Sequence, residues 1–87
     1  MERRLIVQGE AGLHARPAGA FVQTAAGFRA RVTVANLSAG RGPASARSIL
    51  AILALGVRQG HEVLLTADGD DAEAALDALD RLLAGSA

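Results

Sequence analysis

The chain contains no cysteine, tryptophan, tyrosine or lysine among its 87 residues. Without cysteine there is no disulfide framework, no thiol redox chemistry and none of the commonest ligands of structural zinc. Phe21 and Phe28 are the only aromatic residues. They are isolated and read as core, not as platforms for stacking bases. Formal net charge is zero, so a nucleic-acid role lacks its electrostatic footprint. The longest apolar stretch, Ile49 to Leu55, is far too short to span a bilayer. The start, Glu2-Arg3-Arg4 before a short apolar run, lacks the length and cleavage pattern of a secretory leader. A cytoplasmic protein without membrane insertion is expected. A chain of this length forms one domain over residues 1–87, with a modest core built mostly from Ala, Leu and Val.

What is there is organised around Gly12-Leu13-His14-Ala15-Arg16-Pro17-Ala18. Ala18, Phe21, Val22 and Ala25 follow the spacing of one face of an amphipathic helix. Proline is tolerated in the first turn of such a helix, where its missing N–H costs nothing. This places His14 at or beside the N-cap, with the free amides of Ala15 and Arg16 leaving the helix end next to the imidazole. A helix N-terminus favours a bound anion. The same field disfavours an imidazolium and leaves a ring nitrogen nucleophilic. The Arg16 guanidinium is a planar fork suited to phosphate oxygens. Together these residues make a place to carry a phosphoryl group on histidine. The competing reading is that His14 merely caps a helix while Arg16 lies in solvent.

Along the chain, Arg4–Gln8 reads as a first strand ending at Gly9. A loop then delivers the chain to His14, and a helix runs from about Ala15 to Ala26, with Gly27 as its stop signal. Arg31–Ala35 alternates as a half-buried strand. Asn36–Pro43 carries turn residues. Ser48 is a favoured N-cap for a short helix over Ile49–Leu55, with Ser45 as a rival start one turn earlier. That helix is apolar nearly all round, so it is either buried or presents an apolar patch. Glu62–Ala67 reads as the last strand, and His61 before it as an exposed turn residue without chemistry. Asp68, Asp70 and Asp71 lack the spacing of a calcium loop. Asp70 with Glu73 fits a capping box instead. Ala75, Leu76, Leu79, Leu82 and Leu83 give the closing helix its core face, with Asp77 and Asp80 outward. The order β-α-β-β-α-β-α predicts an α+β fold in two layers, an antiparallel sheet with helices on one face.

The His14 segment resembles the phosphorylation-site signature of HPr, the histidine-containing phosphocarrier family of the bacterial phosphoenolpyruvate-dependent sugar phosphotransferase system. Ala46-Arg47-Ser48-Ile49-Leu50, with Leu55-Gly56-Val57 and Gly60 after it, is a second match. Ala67-Asp68-Gly69 leading to Ala75-Leu76 is a third. Together the blocks cover nearly the whole chain in the family's order. The resemblance implies an open-faced β-sandwich with four strands and three helices, and a short strand around Gly42–Ser45. It implies that Nδ1 of His14 takes a phosphoryl group from enzyme I and yields it to a histidine on enzyme IIA proteins, without cofactor or metal. Arg16 would balance the phosphoryl charge, with Ala15 and Pro17 shaping the helix end. Ile49, Leu50 and Leu53, with Ala20 and Gln23 of the first helix, fall on the family's docking surface. Ser48 matches the family's regulatory serine, the target of an HPr kinase/phosphorylase in some bacteria. A transcriptional regulator is a further implied partner, and a monomer the implied state.

The 36–47 segment is longer than usual for the family. Gln23 and Ala26 stand where the family often has lysines facing acidic partners, which predicts weaker or less salt-dependent docking. Two other classes of function compete. One is a regulatory binding module controlled by phosphorylation at Ser48, which would not need His14. The other is a ligand-binding α+β domain, for which no pocket-forming set of polar residues stands out.

Overall fold

A computed structural model describes residues 1–85. Four strands and three helices follow in the order β1 (Glu2–Ile6), α1 (Ala15–Ala26), β2 (Arg31–Asn36), β3 (Arg41–Ser45), α2 (Ile49–Ala54), β4 (Glu62–Asp68) and α3 (Ala72–Leu83). The strands form one antiparallel sheet, ordered β1-β4-β2-β3. The helices cover one face, as the α+β expectation required.

Alternation along the strands decides which side chains meet the helices. Val32 and Val34 of β2 face Ala67 and Leu65 of β4 in register, and all four are buried. From the helices, Phe21 and Ala25 of α1, Ile52 of α2, and Leu76, Leu79 and Leu83 of α3 close over them. Leu82 is only partly buried at the rim of this core. No helix among the described residues is long and apolar enough to cross a membrane.

Four local expectations are corrected. The first strand lies two residues earlier than Arg4–Gln8. The apolar run hides a polar start, because Glu2, Arg3 and Arg4 pair with Thr66, Leu65 and Leu64. Beyond Ile6 the chain leaves the sheet, and the amides of Gln8 and Gly9 donate to the Leu83 carbonyl at the end of α3. Asn36 is not a loop residue. It ends β2 fully buried, its Nδ2 donating to the Leu55 carbonyl at 2.9 Å and its Oδ1 accepting from the Ala39 amide at 3.2 Å.

The Asp70–Glu73 capping box does not form. Asp71 occupies the N-cap of α3 without capping it. Its two carboxylate oxygens accept instead from the amides of Arg29 and Ala30, each at 2.8 Å. Asp77 and Asp80 are half-buried and both face Arg3 across the edge of the sheet, at 2.8 and 3.4 Å. Partly exposed pairs of this kind contribute about 0–1 kcal/mol.

The Asp71 clamp makes stability acid-sensitive. The hydrogen bond from the Arg29 amide, helped by that from Ala30 and by the charge of Arg29, outweighs desolvation and holds the carboxyl below its ordinary value of 3.8. A carboxyl depressed in the native state stabilises it fully above the unfolded-state value, and loses that contribution as pH falls through the native value. Denaturation midpoints compared at about pH 6 and about pH 3 should therefore fall further in the parent than in Asp71→Asn. Equal losses in the two proteins would remove this carboxylate as the cause.

Candidate functional site

The leading end of α1 is held in place from behind. Leu13 is 1% exposed, and its amide donates to the Val57 carbonyl at 3.1 Å. Gly12, at φ +57°, passes so close to that segment that a Cβ would lie 2.3 Å from the Val57 oxygen. With Leu13 inserted in the core, the next side chain must point outward. His14 is exposed, in an extended conformation with φ −106° and ψ 149°, and its side chain caps no amide.

The backbone then makes an unusual turn. Ala15 has φ +44° and is the single non-glycine residue at positive φ among those described. Such a conformation costs an L-residue about 1–3 kcal/mol and persists only where the surroundings enforce it. Here the enforcing elements flank it: the Leu13 anchor on one side, and Pro17, whose ring fixes its own φ, on the other. Arg16 is exposed and forms no ion pair among the described residues, and no acidic residue lies in the first turn. The imidazole, the uncapped helix end and an uncommitted guanidinium thus share one corner.

Beside this corner lies an open groove of about 580 Å³, lined by Gln8, Glu10, Arg16, Pro17, Ala20 and Leu82 among others. Ala20 therefore belongs to the side of α1 that faces the groove, whereas Gln23 is exposed on a later turn. On the neighbouring helix, Ser48 is the N-cap of α2 and its Oγ accepts from the Ala51 amide at 3.2 Å. The rival start at Ser45 is not used, and that hydroxyl accepts from the Arg47 amide instead. Of the apolar residues of α2, Ile52 is buried, while Ile49, Leu50 and Leu53 are 39%, 77% and 37% exposed. The helix thus has both a core side and an apolar outer patch. α1 packs directly against α2.

His61 is not an exposed turn residue. It is half-buried, and its Nδ1 accepts from the Arg58 amide at 3.2 Å with Asn36 Nδ2 at the same distance. An amide N–H can only donate, so Nδ1 carries a lone pair and the ring proton sits on Nε2. This histidine supports the turn before β4. Its contact with Asn36, 25 residues away, is visible only once the backbone is folded, whereas the bond from Arg58 is local.

With the geometry in hand, the profile described as the PTS HPr component phosphorylation site matches residues 1–85. The chain belongs to the HPr family of the phosphotransferase system. Within that family it is similar to the phosphocarrier protein HPr of Streptomyces coelicolor, 46% identical over 83 residues, which cover 95% of this chain and 87% of that one. It is also 43% identical over 86 residues, or 98% of its length, to the multiphosphoryl transfer protein of Salmonella typhimurium, of which it spans only 23%. Among solved structures, the phosphocarrier protein HPr of Bacillus anthracis superposes with a TM-score of 0.88 at 36% identity, covering 95% of each chain. Four antiparallel strands with three helices, in the order βαββαβα, are the architecture of these HPr structures.

Proposed function

We propose that this chain works as one phosphocarrier unit, taking a phosphoryl group on His14 from a phosphohistidine of enzyme I and yielding it to a histidine of enzyme IIA proteins. The observation that carries this reading is the exposed, non-capping imidazole of His14 at the open leading end of α1, beside Arg16, which is in no ion pair among the described residues. In the transfer, a ring nitrogen of His14, Nδ1 in our reading, forms a bond to phosphorus as the phosphorus–nitrogen bond to the donor imidazole breaks. The reverse exchange passes the group on. The amides of Ala15 and Arg16 receive phosphoryl oxygens, and the Arg16 guanidinium offsets their charge. Donors fixed in advance need no reorganisation when charge develops. The exposed patch of Ile49, Leu50 and Leu53, with Ala20 and Gln23 on α1, is the surface on which partners dock.

The test is incubation with phosphoenolpyruvate and purified enzyme I. Phosphate that is labile to acid and stable to base, mapped to His14, is the expected product. Incorporation confined to a base-labile serine ester would sink the carrier reading.

A second reading concerns Ser48, because its Oγ already holds the first turn of α2 while Leu50, two residues on, is the most exposed apolar residue of the patch. Phosphate on this serine would place roughly two negative charges beside the docking patch and oppose enzyme I binding. The cap itself has a measurable role. Ser48→Ala should destabilise the protein by about 1 kcal/mol, read as a lower denaturation midpoint. An unchanged midpoint would mean that water replaces the hydroxyl at no cost.

A further inference from the structure

The outer face of the sheet, away from the helices, is not uniform. At the corner where β2 begins and β3 and β4 end lies a cleft of about 510 Å³ lined by Arg29, Arg31, Thr33, Ser45, Arg47 and Asp68. Strand register explains the grouping. Thr33 pairs with Ser45 and Arg31 with Asp68, and Arg31 and Thr33 alternate with the inward Val32 and Val34. Two hydroxyls therefore lie side by side on the sheet with guanidinium groups around them.

The two loops that supply the remaining arginines are tied down. Arg47 donates from Nη2 to the Phe28 carbonyl at 2.8 Å, and the Arg29 amide is held by Asp71. None of the three arginines is in an ion pair among the described residues. The lining carries three guanidiniums against the single carboxylate of Asp68. Asp71, bonded to the amides of Arg29 and Ala30, also feels the charge of Arg29 and offsets part of that excess. In a chain with no net charge, this is a local excess of positive charge on fixed loops around a concave, hydroxyl-bearing floor. Like charges gathered in a cleft repel one another and focus a field that attracts anions.

We propose that this cleft binds a small diphosphate, a molecule presenting two linked phosphoryl groups, on the guanidiniums of Arg29, Arg31 and Arg47. Planar forks match phosphate oxygens two at a time, and the hydroxyls of Thr33 and Ser45 supply further donors from the floor. Three guanidinium forks present more donors than a single phosphate can use, and so suit a diphosphate better even with Asp68 and Asp71 offsetting part of the charge. The volume is that of a small-ligand site. The site is separate from the phosphohistidine corner: α1, 12 residues long and so about 18 Å from end to end, lies between His14 and Arg29. It does not depend on the carrier reading.

The test is titration of the ¹⁵N-labelled full chain with inorganic pyrophosphate, ADP, and sodium chloride at matched ionic strength, followed by amide shifts. Expected are saturable shifts at Thr33, Ser45 and Arg47 with pyrophosphate, unchanged in His14→Ala. Equal affinity for ADP identifies the diphosphate as the recognised group, and tighter binding of ADP assigns a nucleotide as its source. The variant Arg29→Gln/Arg31→Gln removes side chains that make no hydrogen bond within the described fold, and should bind pyrophosphate roughly tenfold or more weakly while staying folded, its melting midpoint lowered only by the lost Arg29–Asp71 charge interaction. Shifts that the chloride control reproduces without saturation, or that fall only on residues 14–16, would overturn the proposal. So would unchanged affinity in the double variant.

Discussion

Replacing His14 with alanine should abolish phosphoryl acceptance outright while leaving the fold intact. The side chain is exposed, caps nothing and fills no part of the core, so its removal leaves no cavity and no unsatisfied group. The variant should melt within about 0.5 kcal/mol of the parent, as surface changes usually do. In the assay with phosphoenolpyruvate and enzyme I, its acid-labile, base-stable phosphate should drop to background, because no other imidazole lies in that corner among the described residues. Glu10 and Arg16 line the adjoining groove, but a carboxylate would give an acyl phosphate that base cleaves, outside the acid-labile, base-stable readout, and the guanidinium is a permanent cation. His61 cannot substitute, since its Nδ1 is engaged by the Arg58 amide and Asn36. Residual phosphohistidine in His14→Ala would move the reaction to His61 and break the link between helix end and chemistry.

Gly12→Ala should damage stability and transfer together. At φ +57° any side chain is strained, and the new Cβ would lie 2.3 Å from the Val57 oxygen and 2.8 Å from the Arg58 Cα. Both obstacles are backbone, so no side-chain rotation relieves the clash. Relief requires the loop to lift, which breaks the bond from the Leu13 amide to the Val57 carbonyl and draws Leu13 from the core. Overpacking costs about 1–3 kcal/mol, and a residue forced to positive φ adds about 1 kcal/mol or more. A loss of about 3 kcal/mol or more in denaturant unfolding is expected. The fraction that remains folded should transfer phosphate more slowly, because His14 is the residue immediately after the displaced anchor. A variant with parental stability and rate would show that the loop can shift freely, and that His14 is not aimed by Leu13.

These two positions also mark what could be read before the fold was known. The helical spacing from Ala18 to Ala25, with Pro17 in its first turn, fixed the bounds of α1 at Ala15–Ala26 as observed, because every local signal there agrees. Ser48 was legible as an N-cap candidate for α2, but only the structure decides against the rival start at Ser45. What escaped were roles set by distant partners. Asp71 looked like part of an acidic cap cluster, yet its carboxylate is spent on amides 41 and 42 residues away. Asn36 and His61 each resembled a turn residue, and only the closing of β2 against β4 brings them together. The strand Glu2–Ile6 was misplaced because its pairing partners, not its own polarity, decide where it starts. At the candidate site, residue types were visible in the sequence, but the positive φ of Ala15 was not, since alanine carries no signal for that conformation.

One peptide unit separates Leu13, locked in the interior, from His14, bare to solvent. A group carried on such a short tether has no swinging arm: only the two torsions of the imidazole side chain can move it. On the proposed function, donor and acceptor would have to visit the same few square ångströms in succession, each excluding the other while it is there. Flux through such a relay would then be governed by the lifetimes of two mutually exclusive encounters, and an excess of either partner would slow the other by occupying the shared berth.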